Sequence, residues 1–147
     1  MPACSLPAPP PRLPTPPTQV FGHVHSYERF APVYNRTVRL GTESSFRQLR
    51  NPRATVHVTS GAGGNREMHA RGTPPSRGRC ESDAPWCLFQ SGRNPRPGQS
   101  ADFSYSRLTI WNATHAHWQQ VSVTAGRVVD DWWLMQEHHG PFAEDQA

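Results

Sequence analysis

Lysine is absent from these 147 residues, and all 15 basic positions are arginine. The arginines are scattered from Arg12 to Arg127, with no dense run and no interleaved aromatics. The formal net charge of +4 therefore reads as a solvated surface, and nucleic acid is not an expected partner. Apolar residues are also scarce, at 35% of the chain, with a mean hydropathy of −0.72. No run approaches the roughly 18 apolar residues of a membrane-spanning helix, so no membrane crossing is expected. The first residues lack the charged-then-apolar pattern of a signal peptide. Cysteine is sparse: Cys4, Cys80 and Cys87. Cys80 and Cys87 are close enough to pair in an oxidising compartment, and two free thiols fit equally well. The length suits one domain, but the apolar content is lean for it. Either part of the chain is irregular, or its core is completed from outside.

Proline is plentiful, with 16 residues, eight of them in positions 1–19. Proline fixes φ and lacks an N–H donor, so this segment is expected to be extended and disordered. Order is expected from Val20 onward. Val33-Tyr34, Val38 and Thr55–Thr59 read as strand candidates. Residues 41–53 read as a surface connection with at most a helical turn near Phe46. Ser60-Gly61-Ala62-Gly63-Gly64-Asn65 is either a tight turn or a set of amides facing an anion. Residues 70–100 read as a long loop with one hydrophobic knot at Trp86–Phe89. Arg107–Val123 reads as two strands with a turn or bulge near Gln119-Gln120. A hairpin turn at Thr124–Arg127 then leads into a final strand, Val128–Met135. The tail from Gln136 is polar and is expected to fray.

The stretch that suggests chemistry is Val20-Phe21-Gly22-His23-Val24-His25-Ser26-Tyr27-Glu28-Arg29. In an extended segment, histidines at i and i+2 leave the same face. Two such imidazoles can hold one metal ion, or one each of two adjacent ions. Tyr27, Glu28 and Arg29 are candidates for hydrogen bonds that orient the rings. His115 and His117 repeat the spacing without a neighbouring carboxylate in sequence, and are assigned to packing beside Trp111 and Trp118. His138-His139 point apart and are not expected to be ligands. Asn35-Arg36-Thr37 and Asn112-Ala113-Thr114 are glycosylation sequons.

Gly22-His23-Val24-His25-Ser26-Tyr27-Glu28-Arg29 resembles the Gly-His-x-His-x-Tyr-Glu-Arg signature of purple acid phosphatases. Pro32–Asn35, Val56–Gly63, Tyr105–Leu108, Asn112–His115 and Val128–Trp133 resemble, in family order, the C-terminal portion of animal-type members. The resemblance implies an α/β fold, a metallophosphoesterase two-sheet sandwich, represented here by an incomplete C-terminal part that is mostly strand and loop. It divides the chain into a disordered 1–19, a catalytic-domain portion 20–142 and a tail 143–147. It implies metal-dependent hydrolysis of phosphate monoesters by an iron/divalent pair, the divalent ion being zinc, manganese or iron. In that pattern His23 holds the divalent ion and His25 the ferric ion.

The family's other ligand motifs do not occur here, and Gly64-Asn65 is followed by Arg66 instead of histidine. The expectation is therefore a truncated chain that binds at most a weak divalent ion and is inactive alone. The alternative is a non-catalytic metal-binding or protein-interaction module. The family implies a secreted or lysosomal location, which the sequons at Asn35 and Asn112 fit. Lacking an export signal, the chain would be cytosolic if made as written.

Overall fold

A computed structural model of the chain describes residues 18–64, 86–91 and 103–138. Among these residues there are ten strands and no helix. The first sheet contains β1 (Thr18–Phe21), β6 (Val56–Ser60), β2 (Tyr27–Phe30) and β7 (Cys87–Ser91), in that order. β1 runs parallel to β6, and β2 runs antiparallel to both β6 and β7. The second sheet has the order β5 (Gln48–Arg50), β10 (Arg127–Met135), β9 (His115–Ser122), β8 (Ser104–Ile110). Its β5–β10 pair is parallel and the rest antiparallel. A separate hairpin joins β3 (Val33–Tyr34) to β4 (Thr37–Val38).

The two large sheets pack face to face, in the two-sheet sandwich that the family resemblance implies. Alternation along each strand explains which residues meet. Tyr27, Val56, Val58 and Phe89 leave the first sheet inward, while Leu49, Trp118, Trp132 and Leu134 leave the second. Trp118 stacks on Trp132 with ring centroids 5.9 Å apart, and Tyr27 meets Phe89 at 5.8 Å. Burying each such side chain is worth about 1.5–3 kcal/mol, so this small cluster is the main apolar core among the described residues. Coverage is incomplete. Leu108 and Ile110 pair with Trp118 and Ala116 on the edge of the second sheet, yet both remain at least half exposed. Beside them lies a largely apolar cleft of about 220 Å³ bounded by Thr18 and Leu134.

Several sequence readings need correction. The segment 41–53 contains a strand, because Leu49 is fully buried against β10. Trp86–Phe89 leads into β7, which zips onto β2. The 107–123 turn does not fall at Gln119-Gln120. It falls at Trp111–Thr114, and β9 runs unbroken through the glutamines. Gln120 is fully buried, and its amide is satisfied by Ser104 and Ser106. A polar pair thus sits inside a strand because its hydrogen bonds are made by the neighbouring strand. The true turn is fixed by Asn112, whose Oδ1 accepts from the Thr114 and His115 amides and the Thr114 hydroxyl. The readings of residues 1–17, most of 70–100 and 139–147 lie outside the described residues.

Candidate functional site

The histidine pair sits where β1 ends. After Gly22, His23 to Ser26 is a run of bends between β1 and β2, not the extended segment expected from the histidine spacing. Ser26 N–H donates back to the Val24 carbonyl at 2.8 Å, which tightens the loop after Val24. His23 is exposed and His25 half-buried. The loop lies at the carboxyl ends of the parallel pair β1 and β6, in register from Thr18↔Val56 to Phe21↔Thr59. Carboxyl ends of parallel strands are where open sheets place their ligands.

Gly61, directly after β6, holds this loop in place. Its N–H donates to the Ser26 carbonyl at 2.9 Å. A Cβ at this position would stand 1.9 Å from the Val24 carbonyl oxygen and 2.6 Å from that of Gly22. Glycine is required because two backbones touch. That resolves one open reading of the glycine-rich turn: the Gly61 amide is spent on the histidine loop. On the outer face of the first sheet, the Glu28 carboxylate accepts from Ser26 Oγ at 3.3 Å and from Gln90 Nε2 at 2.5 Å. This bond fixes the loop's last residue to β2 and β7.

Tyr27 and Arg29 point the other way, into the sandwich. Arg29 grips Asp130 of β10 bidentately, Nε to Oδ2 at 2.8 Å and Nη2 to Oδ1 at 3.0 Å. Tyr27 Oη donates to the same Oδ2 at 2.8 Å. Burial, reinforced by the Asp130 charge and hydrogen bond, pushes the Tyr27 hydroxyl far above its ordinary range, so it stays a donor. The Arg29 guanidinium also lies over Phe46 and Trp132, 4.6 and 5.2 Å from the ring centroids. Of the three candidates, Glu28 alone is bonded to the histidine loop among these contacts, and Tyr27 and Arg29 reach across to the second sheet.

A second polar chain runs along the sandwich beside Gly61. Ser106 donates to Gln120 Oε1 at 2.5 Å, so Ser60 must donate to Ser106, 2.6 Å away. Gln120 Nε2 completes it by donating to Ser104 Oγ at 2.8 Å. From sequence, Ser60, Ser106, Gln120 and Asp130 were read only as parts of turn or family-like stretches, with no partner assigned. An isolated serine, glutamine or aspartate in a strand carries no signal of its partner 14 or 101 positions away.

His117 packs as expected, but against Trp133, with ring centroids 4.4 Å apart and nearly parallel planes. The next strand also brings it a carboxylate, since Asp131 Oδ1 lies 2.8 Å from its Nε2. His115 is tied to Thr114 Oγ1 at 2.7 Å. Burial raises the Asp131 pKa, but the hydrogen bonds from His117 and Gln119 and the His117 and Arg47 charges outweigh it and hold the carboxyl below its usual range. His57, on β6, stacks on Phe21 at 6.0 Å, and burial lowers its pKa.

Among the described residues, no three histidine, cysteine, aspartate or glutamate side chains are grouped to hold a metal ion. Asn35 and Asn112 both lie on exposed turns. Cys87 is disulfide-bonded, and Cys80 lies outside the described residues.

Residues 54–131, just over half of the chain, match the family described as iron/zinc purple acid phosphatase-like protein C. Acid phosphatase type 7 of Danio rerio is 36% identical over 126 residues, 85% of this chain and 24% of its own length. The Homo sapiens protein of that name is 35% identical over 127 residues, 83% of this chain and 24% of its own. Purple acid phosphatase 5 of Arabidopsis thaliana is 30% identical over 129 residues, 84% of this chain and 28% of its own. A purple acid phosphatase from yellow lupin seeds superposes with a TM-score of 0.59 at 21% identity, covering 82% of this chain and 18% of that one. The chain thus spans about a quarter of the length of the curated relatives it matches.

Proposed function

The chain belongs to the purple acid phosphatase family, and from that membership we propose that its Gly22–Ser26 loop contributes two metal donors, His23 and His25, to a binuclear centre that hydrolyses phosphate monoesters. The observation that carries this reading is the position of the loop. It lies at the carboxyl ends of β1 and β6, braced by the Gly61 amide and by Glu28 through Ser26. An imidazole pair in a braced loop is a good donor set for iron or a divalent ion such as zinc.

Two donors do not make the centre. A catalytic zinc-type site takes about three protein ligands plus water, and a pair of ions takes more. His23 and His25 fit such a centre as one part of it, and the described residues bring no third donor to them. No hydrolytic step is therefore written through these residues alone. The role proposed for the described residues is to hold the two imidazoles and join them, through β2, to the core. Hydrolysis requires further donors. The secretory or lysosomal location that the resemblance implies belongs to this reading too, supported by the sequons at Asn35 and Asn112.

The test is an assay of the purified 147-residue chain with p-nitrophenyl phosphate at acidic pH, with iron and zinc added. No turnover is expected, together with zinc binding that is weakened by His23→Ala and by His25→Ala. Turnover that His25→Ala abolishes would overturn the donor count, and zinc binding indifferent to both changes would overturn the loop assignment.

A further inference from the structure

We propose that Asn35 is an N-glycosylated residue and that the first sugar of its glycan stacks on Tyr34, closing the β3–β4 hairpin. β3 and β4 have two residues each and pair only with one another in register Val33↔Val38 and Tyr34↔Thr37. A two-stranded ribbon of this size is marginal by itself. Its two-residue turn has φ of 46° at Asn35 and 60° at Arg36. Such a turn favours Asn at the first position and Gly at the second. Arg36 occupies the second, where its Cβ is disfavoured. Tyr34 is 65% exposed with no ring contact among the described residues. A weak hairpin therefore carries a strained residue and a bare aromatic ring.

The sequon Asn35-Arg36-Thr37 occupies this same turn. Tyr34 and Thr37 are direct cross-strand partners, so their side chains share a face at the mouth of the turn. Asn35 is exposed, and no hydrogen bond among the described residues holds its side-chain amide. The Thr37 hydroxyl donates to the Asn35 carbonyl at 3.4 Å, which keeps threonine folded toward the turn. A pyranose linked to Asn35 can lay its C–H face on the phenol ring. Those hydrogens carry partial positive charge and the ring face is negative. The other sequon lacks this juxtaposition. Asn112 has its amide oxygen committed to three donors, and Trp111 before it is turned onto Trp133 at 6.1 Å.

The modification uses a lipid-linked oligosaccharyl diphosphate as donor. Asn35 Nδ2 bonds to the anomeric carbon, the bond from that carbon to the diphosphate oxygen breaks, and the amide proton leaves with the diphosphate. The inference rests on the chain entering the secretory pathway, so the test supplies that entry. The full chain is expressed behind a secretory leader in cultured animal cells. Its glycans are removed with peptide N-glycosidase in ¹⁸O water, which converts each occupied asparagine to labelled aspartate, and the chain is digested with trypsin. Cleavage after arginine puts Asn35 in peptide 30–36 and Asn112 in peptide 108–127.

Peptide 30–36 is expected to carry ¹⁸O-labelled aspartate. Its recovery unlabelled overturns the site, whatever the state of peptide 108–127. Tyr34→Ala is expected to lower occupancy at Asn35 several-fold. The glycosylated chain is also expected to melt about 2–4 °C above Asn35→Gln, and the gap should vanish in the Tyr34→Ala background. Full occupancy and an unchanged gap in Tyr34→Ala overturn the stacking. The leader arm alone decides Asn35, and its outcome leaves the metal role proposed for His23 and His25 to the zinc titration.

Discussion

Arg29 and Asp130 lie 101 positions apart and form a two-point ion pair inside the sandwich, with side chains 0% and 2% exposed. The pair joins the strand that follows the histidine loop to the central strand of the opposite sheet. Its spare hydrogen-bonding capacity is used: Arg29 Nη1 donates to the Phe46 carbonyl at 2.8 Å, and Tyr27 donates to Asp130. A buried pair is retained only with geometry this complete, because each charge alone would cost several kcal/mol.

Removing one partner should therefore be severe and removing both much milder. Asp130→Asn or Arg29→Met is expected to cost about 3–5 kcal/mol. Arg29→Met with Asp130→Leu should recover much of that loss. Urea midpoints with an unchanged slope are the readout. Single changes that leave the midpoint in place would show that the pair is not closed in solution.

Gly61→Ala should push the Val24 carbonyl, and with it the histidine loop. A Cβ 1.9 Å from a backbone oxygen cannot be absorbed by a rotamer change. A cost of about 1–3 kcal/mol is expected, with weaker zinc uptake by isothermal titration. Gly63→Ala is the control, because a Cβ there meets nothing within 4 Å. Equal behaviour of the two variants would remove Gly61 from the site.

Acid should weaken the fold in two separable windows. Burial depresses the His57 pKa below its ordinary 6.5, so the unfolded chain binds the proton more readily. Stability then falls as pH drops below 6.5 toward the folded value. The Asp131 carboxyl is depressed below its ordinary 3.8. Its contribution is complete above 3.8 and is lost as pH falls through the folded value. His57→Gln should flatten the first limb and Asp131→Asn the second, in denaturant midpoints followed across pH. A His57→Gln profile that superposes on the parent would refute the first assignment.

Gln120→Leu should cost about 1–3 kcal/mol although it makes the strand more apolar. It strands the buried Ser104 hydroxyl and takes from Ser106 the acceptor of its proton. The loss should be smaller when Ser104→Ala and Ser106→Ala accompany it. Thermal melts of the single and triple variants decide this, and a stabilised single variant would contradict the hydrogen-bond ladder.

The legible parts of the fold were those with local cause. β-branched runs gave the strand at Val56, and the hairpin at Tyr34–Thr37 was bracketed by its strand candidates. The illegible parts had distant causes. Leu49 forms a strand because β10 offers it a parallel edge. Gln119-Gln120 stays extended because the serines of β8 satisfy Gln120 and Asp131 of β10 holds Gln119. The signature Tyr27-Glu28-Arg29 was legible as a unit, but its division was not. Alternation sends Glu28 to the loop side and its two neighbours into the core, where their partner comes from the far end of the chain.

By itself the sequence determined the chain's chemistry at one place: two histidines beside a glycine, in an order of motifs belonging to one phosphatase family. That information is carried by residue types at short spacing and survives without a fold. Only the tertiary structure decided that the histidine loop is bent and braced by Gly61, that Arg29 clamps Asp130, and that Tyr34 faces Thr37 across a strained turn. Each of those depends on which backbones and side chains approach within bonding distance. That is a property of sheet register and packing, not of neighbours along the chain.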